Sequence, residues 1–535
     1  MADQPDSLTN IQDYISQGWD HLTRSLTDCR TYPDVKTEGE PVLYLPAALP
    51  DTPLVTEMQK SCRVRVDHLP EKITKGGDVD VSKIQTEGLL YLEHPYVVPG
   101  GQFNEMYGWD SYFIIRGLVR DNRTELAKGM VEDFFFEIEH YGDVLNANRT
   151  YYLTRSQPPF LTSMIMAVFE NDKPKNAQDI EWLRKAYKYA VRDYDQWIQP
   201  PHLAGDTGLS RYFDHGEGPV PEIVGDPNLY YRGVAQFFHL HGGSNERFLV
   251  RVDDAKPASK VIGSIFAFPD CGNEALLSSA ATCEKQTHVA LSAEYYKGDR
   301  SMRESGFDVS FRFGPFSADT HHFAPVCLNS LLYKTEKDLE KMSRLLGRPS
   351  DAEQWSQKAA ERRAKIDKYF WDEKVGLYFD YDFTTQKRSD YRYATTFYPL
   401  WTGLATKQQA DAVMRNLAAF EEPGGIVMSK RESQTQWDYP YGWAPIQLLA
   451  VEGMRKYGYE AEANRISYKF LSMVMQNFER DHTIREKYDV VSRTSNVHVL
   501  QGYKQNVIGF GWTNGVFLEL AHQLPPDFVA RLRKE

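Results

Sequence analysis

The chain has 535 residues, 62 Lys plus Arg against 74 Asp plus Glu, a formal net charge of −12, and 41% hydrophobic against 25% charged residues. This is the balance of a globular protein with a sizeable core, housed in one large domain or more, and it excludes a disordered or collagen-like chain. An acidic chain without a basic block gives no footprint for nucleic acid, and the longest nearly apolar run, around 261–269, is far short of the roughly 20 residues of a membrane span.

The first residues, MADQPDSLTNIQDYISQGWD, carry acids where an export signal carries lysines, and no apolar stretch follows, so a cytoplasmic place is expected. Residues 1–90 are irregular, with the loop run TYPDVKTEGEPV, and are expected to form an N-terminal extension packed as an arm on a main body of residues 91–535. Apolar positions three and four apart predict helices over 125–140, 158–170, 177–198, 336–346, 351–370, 407–420, 459–479 and 513–524. Pro158-Pro159 and Ser350-Asp351 supply helix-start chemistry. Residues 199–300, rich in Gly, Pro and aromatics, show no convincing helix in their first half and are expected to be active-site loop or lid. Helices paired through Gly- and Pro-containing loops fit a bundle, a solenoid or a closed barrel, and no fixed-period repeat favours the solenoid. Five cysteines, Cys29, Cys62, Cys271, Cys283 and Cys327, sit at unrelated spacings without a CxxC pair, so they are expected to be reduced packing residues. The sequons at Asn122 and Asn148 matter only in a secreted chain.

Phe, Trp and Tyr make up 13% of the chain and cluster beside acids, as in YGWDSYF, QWDYPYGW and KYFWDEKVGLYFDYD. A sugar pocket needs both residue types, an aromatic face for the C–H surface of a pyranose and carboxylates or amides for its hydroxyls. Aromatics of a helical core give the same statistics, so composition alone leaves the two readings even. Three segments carry acids, aromatics and glycines in helix-connecting positions: 99–110, 303–308 and 436–445. A barrel brings such segments to one end.

The segments PGGQFNEMYGWDSYF and QWDYPYGWAP closely resemble the two signature segments of the trehalases, and NRTYYLTRSQPPF, ESGFDVSFRF, REKYDV and GFGWTNG resemble further blocks in the same order, over roughly residues 90–520. The resemblance implies an all-α fold, an (α/α)6 barrel or toroid, and an inverting glycoside hydrolase with no organic cofactor and no metal. On matching positions it makes Asp308 the general acid and Glu486 the general base. Inversion requires one protonated carboxyl at the leaving oxygen and one carboxylate holding water on the other face; Phe307 and Phe311 beside Asp308 favour its protonated form by desolvation, and Arg485 and Lys487 beside Glu486 favour its ionised form if they turn inward. The resemblance places the cleaved glucose among Phe103, Tyr107, Trp109, Asp110, Asn146, Arg155, Gln157 and Gly306, with Trp437, Asp438, Trp443 and Trp512 as walls and rim.

The chain departs from the family where the leaving group binds. Gln102 stands where trehalases have the arginine of PGGRF, the PRPE segment reads Pro219-Val220-Pro221-Glu222, and a glycine-rich flap with a glutamate is replaced by SNVHVLQGYKQNVI, with Tyr503 near that glutamate's place. Two missing guanidinium donors weaken discrimination for a hydroxyl-rich leaving sugar. The substrate expected from the residues is therefore a small α-glucoside osmolyte, glucosylglycerol first and trehalose as the alternative, with glucosylglycerate less favoured because an anionic leaving group would want the lost arginines. Gln102, Glu222, Tyr503 and Lys504 would serve this half of the site. A non-catalytic sugar-binding protein is the reading from another class, and both catalytic acids count against it. His239, His241, His321, His322 and His498 lack HExxH or paired-Cys partners, so no metal is expected, and Gly100-Gly101, Gly242-Gly243 and Gly424-Gly425 lack phosphate-loop spacing.

Overall fold

A computed structural model describes residues 6–36, 39–171, 175–223, 226–252, 261–269 and 286–534. Six inner helices, Asp110–Arg120, Leu161–Asn171, Val326–Leu345, Tyr398–Thr402, Ala444–Lys456 and Gly511–Gln523, pack each against the next, and the last packs against the first. The ring is the (α/α)6 barrel expected. Its closing contact is made by glycines: a Cβ on Gly515 would sit 2.1 Å from the Phe113 carbonyl oxygen, and one on Gly117 would sit 2.5 Å from the Gly515 Cα. Only residues without a side chain let these two backbones meet.

Outer helices Thr124–His140, Ala177–Trp197, Pro349–Tyr369, Lys407–Arg415 and Glu460–Asp481 alternate with the inner ones along the chain. Helix Ser7–Leu22 lies on the outside against Glu460–Asp481 and Gly511–Gln523, burying Leu8, Ile11, Ile15, Trp19 and Leu22. Asp6 caps it, and capping boxes Asn176/Asp179 and Thr406/Gln409 start two of the outer helices. Each of the eight helices predicted from periodicity coincides with an observed helix, with 336–346 being the second half of Val326–Leu345 and 158–170 beginning only at Leu161, past its prolines. The inner helices Asp110–Arg120, Tyr398–Thr402 and Ala444–Lys456 escape that reading: the second has only five residues, the third is buried on nearly every face and shows no polar stripe, and the first shows one only through Arg116 and Arg120.

Beyond the first helix, the N-terminal part forms a parallel sheet with Val42–Leu45 between Arg65–His68 and Leu89–Leu90, with helix Pro53–Cys62 between its first two strands in sequence. Cys29 and Cys62 are joined in a disulfide with their Cα atoms 5.0 Å apart, which corrects the expectation that the cysteines are reduced. The pairing arises because the turn Cys29–Thr31 packs against helix Pro53–Cys62, a contact across 33 residues that spacing does not announce. Cys327 is free and buried, and Cys271 and Cys283 lie outside the described residues.

The region 199–300 is also not the structureless loop expected. Helix Pro227–His241 and an antiparallel sheet with Gln286–Leu291 between Leu249–Arg251 and Ile265–Pro269 enclose a hydrophobic cluster of their own, including Phe238, Phe248, Phe266, Phe268 and Val289. This small lobe is anchored on Tyr295 and Tyr296 of helix Ala293–Glu304, whose far end leads to Asp308.

Candidate active site

Helix Ala293–Glu304 ends at Ser305, and Gly306 turns the chain with φ +74°. A Cβ there would lie 2.8 Å from the Trp109 ring, so glycine is required both by the turn and by the indole against it. The turn presents Asp308 beside Phe307, whose ring packs on Trp109, Trp437 and Tyr393. Burial pushes the Asp308 carboxyl up to about 6, against the pull of Arg303, whose guanidinium is 3.8 Å away. Of the two phenylalanines expected to desolvate the acid, Phe307 packs into the aromatic cluster beside it, whereas Phe311 turns toward Phe237 and Phe316.

Glu486 stands directly before strand Lys487–Asp489, which pairs with Tyr441–Trp443 and sets Trp443 opposite Lys487. The fully buried Lys487 ammonium donates to Glu486 Oε2 at 3.1 Å and to Gln436 Oε1 at 3.0 Å. Gln436 in turn donates through Nε2 to the Asp308 carbonyl, so one amide straps the segment of the acid to the segment of the base. Of the two cations flanking Glu486, Lys487 turns inward, while Arg485 donates to the Asn506 carbonyl. Trp512 Nε1 donates to the Glu486 carbonyl at 3.1 Å.

Between them lies Asp110, at the start of its inner helix and 5% exposed. Burial first, and then the charges of Glu486 and Asp308, push its carboxyl well above the usual range, so the three acids lie close enough to act on one another. Trp109, Trp437 and Trp512 converge around them with centroids 5.7 to 6.3 Å apart, and Trp443 stacks behind Trp437 at 3.9 Å. Gln157 Oε1 accepts from the Trp109 N–H at 2.8 Å, and Asn146 bridges the two flanking segments, donating to the Arg155 carbonyl and accepting from the Gly108 N–H.

Arg155 Nη2 meets Glu222 Oε1 at 2.5 Å with both side chains buried. Burial works against the Glu222 charge, but the Arg155 and Arg303 guanidiniums overcome it and hold the carboxyl below its usual range. Arg155 Nε and Nη1 and Glu222 Oε2 have no hydrogen-bond partner among the described residues. Buried donors and acceptors seldom stay unpaired, and a sugar bearing hydroxyls on adjacent carbons satisfies both signs at once.

Asp438 is placed differently from a sugar-binding rim residue. It is wholly buried, and its oxygens accept from the Phe311 N–H and from Ser429, Ser433, Thr435 and Tyr391, so it holds the loop behind Trp437. Gln102, Phe103 and Tyr107 are half-buried at the mouth, Tyr107 being bridged to Ala147. Tyr503 accepts from Arg303 Nη1 at 2.9 Å, while Lys504 is exposed. Val220 is a buried neighbour of Tyr231, whose hydroxyl accepts from its N–H.

Two cations of this region are invisible to motif reasoning. Arg303, 4% exposed, lies among Asp299, Glu222, Asp308 and Tyr503; its place one helical turn before Asp308 was the available signal. Lys36 comes from the N-terminal part: its ammonium donates to Tyr107 at 2.7 Å and lies 5.5 to 5.6 Å from the ring centres of Phe103, Tyr107, Tyr151 and Tyr152. No sequence signal marks it. Among the described residues the group of metal-type ligands, Glu294, His321 and His322, is at the other end of helix Ala293–Glu304, roughly 15 Å along its axis from the acid segment.

The trehalase family model matches residues 10–227 and 274–524. The cytosolic neutral trehalase of Saccharomyces cerevisiae is 35% identical over 561 aligned residues, covering 94% of this chain and 70% of its own, and that of Emericella nidulans is 34% identical over 94% and 70%. The solved neutral trehalase Nth1 of S. cerevisiae superposes with a TM-score of 0.79 at 33% identity, covering 98% of this chain and 96% of that one. A mannosylglycerate hydrolase from Thermus thermophilus shares the fold, with a TM-score of 0.50 at 17% identity over 79% and 95%.

Proposed function

From the premise that the chain belongs to the trehalase family of glycoside hydrolases, we propose that it hydrolyses α,α-trehalose to two glucose molecules with inversion. Asp308 protonates the departing oxygen and Glu486, steadied by Lys487, draws the proton from the attacking water. The observation that carries the reading is the pairing of a carboxyl held near pKa 6 with buried atoms of Arg155 and Glu222 that make no hydrogen bond among the described residues, Arg155 Nε having only Asp214 at 3.8 Å: an acid suited to near-neutral pH stands beside a cradle for vicinal hydroxyls. Asp110, protonated or hydrogen-bonded, and the tryptophans hold the glucose being cleaved.

Trehalose replaces glucosylglycerol as the favoured substrate. The relatives at 33 to 35% identity are trehalases, and the loss of guanidiniums at Gln102 and Val220 is offset by cations from elsewhere: Arg303 on Tyr503 and near Glu222, and Lys36 on Tyr107. Motif positions recorded the donors lost and not those supplied by other segments. Glucosylglycerol is kept as a second reading on Gln102 and Val220 alone. The names of the relatives support a cytosolic place of action, where the thiol pool works against the Cys29–Cys62 bond. Glucose release is measured from equal concentrations of trehalose, glucosylglycerol and glucosylglycerate, with Asp308→Asn as the blank. The highest kcat/KM is expected on trehalose, and a higher value on glucosylglycerol overturns that choice.

A further inference from the structure

Helix Ala293–Glu304 has the active-site turn at its C-terminal end and an unexplained cluster at its N-terminal end. Glu294, in its first turn, meets two adjacent histidines of the 3-10 turn Thr320–His322. Glu294 Oε1 is 3.2 Å from His321 Nε2 and 3.1 Å from His322 Nε2, and the two rings are 4.1 Å apart. Ligand atoms about 2.1 Å from one metal ion are separated by roughly 3.0 to 3.4 Å in octahedral or tetrahedral arrangements; the two spacings to Glu294, which also suit hydrogen bonds, fit that range, and all three ligand atoms lie within 4.8 Å of one another.

Three further features fit. Asp319 Oδ1 lies 3.4 Å from His322 Nδ1, the carboxylate-to-imidazole contact that orients a ligating histidine and raises its basicity. Arg247, from the small lobe, donates to Asp319 at 2.6 Å, which fixes that carboxylate and neutralises the arginine's own charge. The environment is graded: the His321 side chain is 6% exposed, His322 21% and Glu294 38%, so an ion has an entry path and room for water on its open side.

We propose that Glu294, His321 and His322 form a binding site for a divalent first-row metal, best suited to zinc, which staples the first turn of helix Ala293–Glu304 to the turn that leads into the inner helix Val326–Leu345. Two imidazoles and one carboxylate are a borderline donor set that zinc accepts and calcium or magnesium, which want oxygen shells, do not. The ion, its remaining positions filled by water, touches no group of the catalytic end, and it steadies the helix that carries Arg303 and precedes Asp308.

The test is zinc binding by the full chain after stripping with a chelator and dialysis, by titration with ZnCl2 against a chromophoric competitor, alongside melting temperature with and without zinc. The wild type is expected to bind one zinc per chain and to melt higher with it. The His321→Gln/His322→Gln double variant loses that binding and that shift, and Asp319→Asn weakens binding about tenfold or more. Turnover of the double variant without zinc, compared with the stripped wild type, verifies that it is folded. No binding by the wild type, or binding that the folded double variant keeps within tenfold, overturns the proposal and leaves a hydrogen-bonded Glu-His-His joint. Calcium and magnesium are the negative arms, and a preference for either also overturns it.

Discussion

The barrel and the small lobe built from helix Pro227–His241 and strands Leu249–Arg251, Ile265–Pro269 and Gln286–Leu291 solve different problems. The barrel closes a ring, so its inner helices have neighbours on both sides, and the residues around Asp308 and Glu486 come from many points of the chain at one end. The lobe has a separate cluster of aromatics, and residues 228–273 fall between the two stretches matched by the family model. Yet the lobe reaches the active end. Tyr230 lies under the Arg303 guanidinium at 5.8 Å, and Tyr231 donates to Asp299 at 3.2 Å while accepting from Val220. The lobe thus packs against the side of the ring's end that holds Arg303, Asp299 and Val220.

Breaking the ring's chemistry gives the largest effect. Asp308→Asn or Glu486→Gln lowers kcat on trehalose by about 10²- to 10⁴-fold with the melting temperature little changed; a variant that keeps a tenth of wild-type kcat removes that residue from its role. Next is the cation between ring and lobe. With the Asp308 carboxyl near 6, kcat/KM falls as pH rises through about 6, because the acid loses its proton. Arg303→Met removes the charge that favours the carboxylate, so the pKa rises and this limb moves to higher pH by ~1 unit, and KM rises as well. An unmoved or downward limb in pH profiles of the two proteins contradicts the electrostatic assignment. The smallest effect sharpens the lobe's part. Tyr231→Phe leaves the Val220 N–H and Asp299 short of a partner, costs about 1 to 3 kcal/mol of stability in denaturant titration, and raises KM a few-fold with kcat kept. A fall in kcat with KM unchanged means that the lobe acts on the chemistry instead.

Much of the ring was legible in the sequence, because outer helices carry a polar face and therefore a period. Some inner helices hid: APIQLLAVEGMRK is apolar nearly all round and reads as core without a direction, and the polar side of DSYFIIRGLVR is little more than Arg116 and Arg120. Helix Ser7–Leu22 did carry a legible stripe, Leu8, Ile11, Ile15, Trp19 and Leu22, which composition-led reading of residues 1–90 as an arm passes over. At the site, the resemblance singles out acids and tryptophans that lie near one another in the fold, and short contiguous segments carry them. It misplaced Asp438, because an acid beside Trp437 in sequence gives no hint of the five donors that enclose it. It also missed Lys36 and Arg303, because complementing a lost guanidinium from a distant segment depends on proximity in space. The Cys29–Cys62 pair and the Glu294, His321, His322 group were unreadable for the same reason.

The glycine contact that closes the ring joins the first inner helix to the last, so it has a consequence for the order of events during synthesis. While a ribosome is still making the chain, helix Asp110–Arg120 waits with its face for Gly511–Gln523 uncovered until some four hundred further residues have emerged, the costliest kind of contact to form. Trp512 arrives on that last helix, so a nascent chain halted before it has an open ring and an unfinished sugar pocket, whatever else has already folded.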